Sequence, residues 1–324
     1  MIAVDIKMVQ AVQEAFADQI LEQYKQALDK LEAIDQKKIK YASQRAYLKK
    51  MIKVFRANKQ IMVAEPTALE KLMKDFGKLP AVTKKKDRQS EADARKSFLN
   101  KIHTALNYKG LRTAFYPAYF AEIGIKACVY CNSQLAITME KEQGSYSARF
   151  DVDHHIGKNQ YPGLAISLFN LYPACAPCNR RKSEGLVHFK LYSNAEADLL
   201  RSPFVFKLDA HAKAKYLLSP KTAQLDFNLI NRIDPKGSAH EKFFSINSIY
   251  RTQEDVAQEL LIKSQAYDPA YKQILFEKFS GLGITRIDIE RLLIGNYSSE
   301  NEIHKRPLSK FVQDLARELG ILDT

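Results

Sequence analysis

The sequence has no run near the roughly 18 consecutive apolar residues that a membrane-spanning helix requires, so no membrane partner is expected. Its first residues, Met1-Ile2-Ala3-Val4-Asp5, lack the basic region and following apolar segment of an export signal. No internal repeat or low-complexity tract interrupts the chain. Cysteine is scarce: 324 residues contain four, and all of them fall in two Cys-x-x-Cys pairs, Cys128/Cys131 and Cys175/Cys178. Without an export signal, pairs at this spacing point to metal ligation rather than disulfides, and a cytoplasmic location is expected. Acidic residues are outnumbered, 37 against 50 lysines and arginines, which leaves a formal charge of +13. Such a balance attracts polyanions, because cationic side chains neutralise phosphates and release condensed counterions. A solvated basic surface kept for solubility would give the same composition.

A hydrophobic content of 46% and a charged content of 27% are those of a globular chain able to bury a real core. From Val4 to about Ala64 the pattern is helical. Val12, Phe16, Ile20, Tyr24, Leu28 and Leu31 step mostly by four along one face, and a break near Asp35 separates this helix from one carrying Tyr41, Leu48, Ile52 and Phe55. Glu65-Pro66-Thr67 restarts a helix and Gly77 ends it. Lys78 to Arg88, with Pro80 and the run Lys84-Lys85-Lys86, reads as a solvated linker and a domain boundary. Ser90-Glu91-Ala92-Asp93 has the spacing of a capping box and predicts a helix to about Asn107, with another over Thr113 to Glu122. Leu135–Thr138, Ala148–Asp153, Phe204–Leu208, Leu225–Ile230 and Phe243–Ile246 read as short strands, with Gly144 near a turn. Helices return from Thr252 and end with Leu308–Leu319. The fold class expected is α+β with helices dominating.

The chemistry concentrates between Cys128 and Lys182. A Cys-x-x-Cys turn presents two thiolates to one ion, and two such turns complete a tetrahedral zinc site even when a long loop separates them. Cys128, Cys131, Cys175 and Cys178 are therefore the expected ligands of a structural Zn²⁺, with no coordination position left open. Inside this clamp lie Asp153 and His154, then Asn170, then Asn179 directly after the last cysteine. Phosphodiester hydrolysis needs a base for water and a metal that polarises phosphate. A hard ion such as Mg²⁺ or Mn²⁺ takes oxygen ligands from a carboxylate and an amide carbonyl, which Asp153 and Asn179 can supply, leaving His154 to activate the water. Lys158, Arg180, Arg181 and Lys182 are candidates for contacts to a nucleic-acid backbone. The other histidines, His103, His188, His211, His240 and His304, lack ligand-like company and read as core or surface residues.

These residues carry a family resemblance. Phe150-Asp151-Val152-Asp153-His154, Asn170 and Cys178-Asn179 resemble the HNH, or ββα-metal, endonuclease motif with a zinc-ribbon clamp, and the strand also resembles its counterpart in the HNH domain of CRISPR effector nucleases. The resemblance implies that Asp153 and Asn179 ligate the catalytic ion, His154 is the general base and Asn170 fixes the loop that orients it. His155 departs from the pattern, where the family has an aliphatic or aromatic residue, and is the rival candidate for the base. Lys158 to Pro162 and the Cys178-Asn179-Arg180-Arg181-Lys182 run further resemble HNH nucleases of bacterial anti-phage systems, such as the Septu and retron-linked effectors. That likeness implies a defence role beside an SMC-like or ABC-type ATPase.

The expected organisation is a helical region over 1–88, an HNH core with its zinc knuckles over 89–195, and a mixed, mainly helical region over 196–324. The flanking regions carry no catalytic signature and are candidates for partner docking or oligomer contacts. The expected function is metal-dependent hydrolysis of DNA. RNA, including tRNA, offers the same phosphate chemistry, and a zinc ribbon that binds nucleic acid without cutting it is the rival from another class.

Overall fold

The computed structural model describes residues 1–81, 88–142, 144–185, 187–219, 224–232 and 239–323. The lysine run of the predicted linker lies outside the described residues.

The chain opens with a two-residue strand β1 (Val4–Asp5), and the Asp5 carboxylate then caps α1 (Ile6–Ala15) by accepting from the Lys7 backbone at 2.8 Å. The four-residue periodicity through Val12 and Phe16 does not make one helix. The chain breaks at Phe16 and resumes as α2 (Ala17–Glu32), which frees the Phe16 ring to pack edge-on against Phe115 and Tyr119. α3 (Ala42–Ala57) and α4 (Pro66–Phe76) follow, with proline in the first turn of α4 and Gly77 ending it at φ +67°, a left-handed backbone that favours glycine. Ile20, Tyr24, Leu31, Leu48, Met51, Phe55, Leu69 and Phe76 form the buried stripe of this region.

α5 (Arg88–Ala105) begins before the predicted capping box. Ser90 sits in its first turn, where its hydroxyl accepts from Lys40 Nζ at 2.8 Å instead of capping. The predicted helix at Thr113–Glu122 is two helices, α6 (Tyr108–Ala114) and α7 (Tyr116–Ile123), hinged at Phe115. Strands β2 (Ile137–Glu142) and β3 (Ser145–Arg149) form an antiparallel hairpin that turns through Gly144 at φ +78°.

The segment Ala148–Asp153 is not one strand. It changes sheets at Phe150, whose ring packs edge-on against Phe120, and continues as β4 (Asp151–His154). β4 pairs antiparallel with β5 (Leu171–Ala174), placing Asp153 opposite Tyr172 and His154 opposite Leu171, and α8 (Ala176–Lys182) follows at once. This is a ββα unit. Its strands carry only four residues each, too few for independent stability, so the unit depends on what packs around it.

Beyond it, β6 (Tyr192–Ser193) pairs parallel with β1. After α9 (Glu196–Leu200), β7 (Phe204–Leu208) and β8 (Phe227–Asn231) form an antiparallel pair joined through α10 (Ala210–Leu218). The strand expected at Phe243–Ile246 is instead the junction of α11 (Ala239–Phe244) and α12 (Ile246–Arg251). Buried pairs four apart, His240/Phe244 and Ile246/Tyr250, set the helical period, and Ser245 at φ +55° separates the two helices. The chain finishes with α13 (Glu254–Ala266), α14 (Pro269–Ser280), α15 (Arg286–Ile294) and α16 (Ser309–Glu318). One apolar core runs from Met1 to Leu322 through all these parts. Among the described residues no helix is long and apolar enough to cross a membrane.

Candidate active site and metal centre

The four cysteines come from separate elements and meet. Cys128 and Cys131 lie in the turn before β2, Cys175 at the end of β5, and Cys178 in the first turn of α8. Their sulfurs all lie within 4.8 Å of one another, and Cys131 and Cys175 are 3.9 Å apart. Sulfurs bonded to one tetrahedral zinc at about 2.3 Å stand about 3.8 Å from each other, so the cluster has the size and the ligand set of a closed, structural zinc site. All four residues are buried.

The first knuckle is held from outside the ββα unit. Tyr250 donates its hydroxyl to the Cys131 carbonyl at 2.8 Å, and His240 Nε2 meets the Tyr130 carbonyl at 2.8 Å. Asn132, at φ +53°, donates to the Ile303 carbonyl at 2.7 Å and accepts from the Lys310 backbone at 3.0 Å. The C-terminal helices are thus built onto the zinc knuckle.

Strand alternation places Asp151 and Asp153 on one face of β4. That face lies under α8, where Asn179 and Lys182 are neighbours three residues apart. The match gives two rungs. At the open rung, Asn179 Nδ2 donates to Asp151 Oδ2 at 2.9 Å, and Arg112 from α6 holds Asp151 Oδ1 at 2.7 Å. At the buried rung, Lys182 Nζ lies 3.1 Å from Asp153 Oδ2 and donates to the His154 carbonyl at 2.7 Å, while the Tyr130 hydroxyl donates to Asp153 at 2.5 Å. Burial pushes the Asp153 carboxyl above its ordinary value, and Lys182 and the Tyr130 hydrogen bond pull it back down. Tyr130 sits inside the first knuckle, between Cys128 and Cys131, so the cysteine cluster fixes the donor that steadies Asp153.

His154 is buried, with Nε2 3.0 Å from the Ala165 carbonyl. A carbonyl only accepts, so Nε2 carries the proton and Nδ1 is left with its lone pair; it has no hydrogen-bond partner among the described residues. Burial first, and then the positive charge of Lys158, hold the imidazole well below its ordinary pKa, so it is neutral at pH 7. Its ring lies 5.2 Å from that of Tyr108, over which Lys158 Nζ sits at 4.8 Å. His103 adds a third ring beside Tyr108 at 6.0 Å. His155 points elsewhere: it stacks on Tyr172 at 5.1 Å, and burial holds its pKa at about 4.

Asn170 binds the loop between β4 and β5 at both ends. Its Oδ1 accepts from the Ile156 backbone at 2.7 Å, while Nδ2 donates to the carbonyls of Ile156 at 3.1 Å and Leu164 at 3.0 Å. The Leu164 contact is next to Ala165, whose carbonyl holds His154. The same loop is braced by Arg95 of α5, which donates to the Asn159 carbonyl at 2.9 Å. At Gly163 a Cβ would come within 2.6 Å of the Phe76 ring, so only glycine fits against α4.

Of the four cations expected to face a nucleic acid, the structure leaves Arg180 exposed and sets the Lys158 ammonium over the Tyr108 ring that packs beside His154. Arg181 is exposed but its guanidinium donates to the Phe243 carbonyl. Lys182 has to be reassigned. It is buried and bound to Asp153 and His154, so it has no ammonium face to offer a phosphate. Tyr108, Arg112, Tyr130 and Asp151 were not singled out as site residues by the sequence. Asp151 had a usable signal in its alternation with Asp153, whereas Arg112 and Tyr130 reach the site only through tertiary folding.

A four-thiol cluster thus clamps a ββα unit that carries two aspartates, a histidine and an asparagine. Residues 128–185 match the family model of the HNH endonucleases. No curated protein and no solved structure matches the chain.

Proposed function

We propose that the protein is a metal-dependent endonuclease that hydrolyses phosphodiester bonds, with DNA as its substrate and His154 as the general base. The observation that carries this reading is the state of His154: neutral and held in one tautomer by the Ala165 carbonyl, which leaves Nδ1 with the lone pair a base needs. Nδ1 takes the proton of the attacking water. Lys158 depresses the basicity of the free imidazole, and a phosphate docked against Lys158 offsets that charge, so the base strengthens when substrate arrives. Arg112 and Arg180 supply further positive charge on the phosphate side. Oxygen ligands from β4 and Asn179 suit a hard divalent ion, Mg²⁺ or Mn²⁺, which when bound would polarise the phosphate and stabilise the leaving oxygen. The anti-phage role and an ATPase partner rest on the likeness of residues 158–182 to defence-system nucleases.

The test is incubation of the protein with supercoiled plasmid and with total RNA, each with Mg²⁺, Mn²⁺ or EDTA, beside His154→Ala. Plasmid cutting that requires the metal and disappears in the variant is the expected result. Cutting of RNA alone would move the substrate to RNA. Full activity in the variant would remove His154 from the mechanism.

A further inference from the structure

Outside the matched stretch, three cations, two of them far from the third in sequence, converge on one aromatic ring. The Arg291 guanidinium lies 4.2 Å from the centroid of the Tyr297 ring, that of Arg306 5.3 Å, and the Lys305 ammonium 5.5 Å. Their charges therefore stand within about a Debye length of one another, roughly 10 Å at 0.1 M salt, and repel. The acids nearby do little to offset them. Lys305 pairs with Glu302 at 2.9 Å, through a side chain that is 48% exposed. Glu300 turns instead to Lys310 and Arg317, and Asp288 accepts from the Thr285 hydroxyl that caps α15. Arg291 and Arg306 form no ion pair among the described residues. The C-terminal end of α15 explains one contact, because Arg306 Nη1 donates to the Gly295 carbonyl at 3.1 Å. It explains neither Lys305 nor the Tyr297 hydroxyl, which has no hydrogen-bond partner among the described residues.

The first knuckle holds this cluster in place. Asn132, the residue after Cys131, donates to the Ile303 carbonyl, and its own carbonyl accepts from the Leu308 backbone at 2.6 Å. The segment carrying Lys305 and Arg306 is thereby fastened two residues from Tyr130, whose hydroxyl is on Asp153. Resting on the nuclease reading above, we infer that Arg291, Tyr297, Lys305 and Arg306 form a second nucleic-acid contact, a site for backbone phosphate outside residues 128–185. The groups present suit that ligand. Guanidinium forks match phosphate oxygens, the ammonium adds a point charge, and the tyrosine hydroxyl adds a neutral donor. Packing over Tyr297 already restricts the long cationic side chains, so less rotamer freedom is lost when phosphate binds. Such contacts position a strand without reading its sequence, so the site grips substrates of any sequence alike.

The experiment measures binding by fluorescence anisotropy over about 50 to 200 mM salt, with labelled duplex DNA and labelled single-stranded RNA of arbitrary sequence. Zinc-loaded His154→Ala protein without added Mg²⁺ or Mn²⁺ is the parent, so that the probes stay uncut, and thermal melts accompany each variant. Each lost contact lowers the slope of log K against log salt by about 0.9 on duplex DNA and about 0.7 on a single strand. The triple variant Arg291→Gln/Lys305→Gln/Arg306→Gln should therefore lower the duplex slope by about 2–3. Lys305→Gln alone, which leaves the Gly295 contact intact, should lower it by about 0.9 and carries the test if the triple variant melts lower. A control triple, Lys53→Gln/Lys59→Gln/Lys71→Gln, removes the same charge from exposed lysines and should leave the slope near that of the parent. A fall confined to the RNA probe supports the site with RNA as its strand. An unchanged slope in the cluster variants, or an equal fall in the control, overturns the site, while plasmid cutting by wild type leaves the nuclease reading standing. A parent that binds neither probe also overturns the site, and a wild type that then cuts neither plasmid nor RNA overturns both.

Discussion

Lys182→Met separates two accounts of one residue most sharply. As a backbone-phosphate contact, Lys182 would be a surface cation: its loss would change stability by under about 0.5 kcal/mol and flatten the salt dependence of nucleic-acid binding. As the structure has it, the ammonium is buried between Asp153 and the His154 carbonyl. Methionine keeps most of the volume but strands the Asp153 carboxylate with the Tyr130 hydroxyl as its remaining side-chain donor. Breaking one side of a buried ion pair costs about 3–5 kcal/mol. At roughly 2 °C per kcal/mol for a chain of this size, the melting temperature should fall by about 6–10 °C.

The penalty has a pH signature. Asp153 is already pushed up by burial, and Lys182 is the main influence pulling it down. In the variant its folded pKa rises further above the unfolded value, and a carboxyl raised in this way destabilises more as pH increases through the folded pKa. The gap between variant and wild type should therefore narrow as pH falls from 8 to 5. The assay is urea unfolding of zinc-loaded protein at both pH values, with Asp153→Asn and the double variant completing a cycle. The double variant should lose less than the sum of the singles. A Lys182→Met protein as stable as wild type, with a shallower salt dependence of DNA binding, would refute the buried-rung account.

Acid should destabilise the whole protein through its histidines. His103, His155 and His240 are held at about 4, chiefly by burial, and His154 and His304 well below the ordinary value for the same reason. Each folded pKa lies under the unfolded value near 6.5, so their stabilisation is complete above about pH 6.5 and is lost as pH falls through the folded pKa. A histidine held near 4 contributes about 2 kcal/mol less at pH 5 than at pH 7.5. Urea midpoints that stay level over that range would contradict the burial of these rings. Cys175→Ser should lower zinc content and melting temperature together, as read by metal analysis and calorimetry, because a structural ion supplies folding free energy. Full zinc occupancy in that variant would break the four-thiolate assignment.

The zinc cluster was legible because its signal is discrete: two identical pairs and no other cysteine in the chain. Asn170 was legible as a residue, though its three side-chain hydrogen bonds to loop backbone are a tertiary fact. The alternation of β4 already put Asp151 and Asp153 on one face, but did not show which of them is buried. That depends on α8 lying over the strand with Asn179 and Lys182 at the same spacing, and on Tyr130 arriving from a knuckle 23 residues earlier. Lys182 was misread for a related reason. In a run of Arg180, Arg181 and Lys182 every residue looks solvated, and helical phase alone sends the third one inward. The Phe243–Ile246 stretch failed differently, since a four-residue window of apolar and aromatic residues cannot show the four-residue spacing of His240/Phe244 and Ile246/Tyr250.

The flanking regions, silent in chemical motifs, hold opposite ends of the same site. β4 and β5 are four residues each and cannot stand alone. From the N-terminal side, Phe76 against Gly163 and Arg95 on the Asn159 carbonyl press on the loop whose Ala165 carbonyl selects the tautomer of His154. From the C-terminal side, Tyr250, His240 and the Asn132 bonds grip the knuckle that carries Tyr130, and through it Asp153 and Lys182. His154, the proposed base, is thus set by one flank and the buried rung by the other, while Asp151, Asn179 and Arg112 form the open rung between them. The 58 residues that match the family model, 128–185, carry the proposed reacting groups, and the remainder of the chain fixes their geometry.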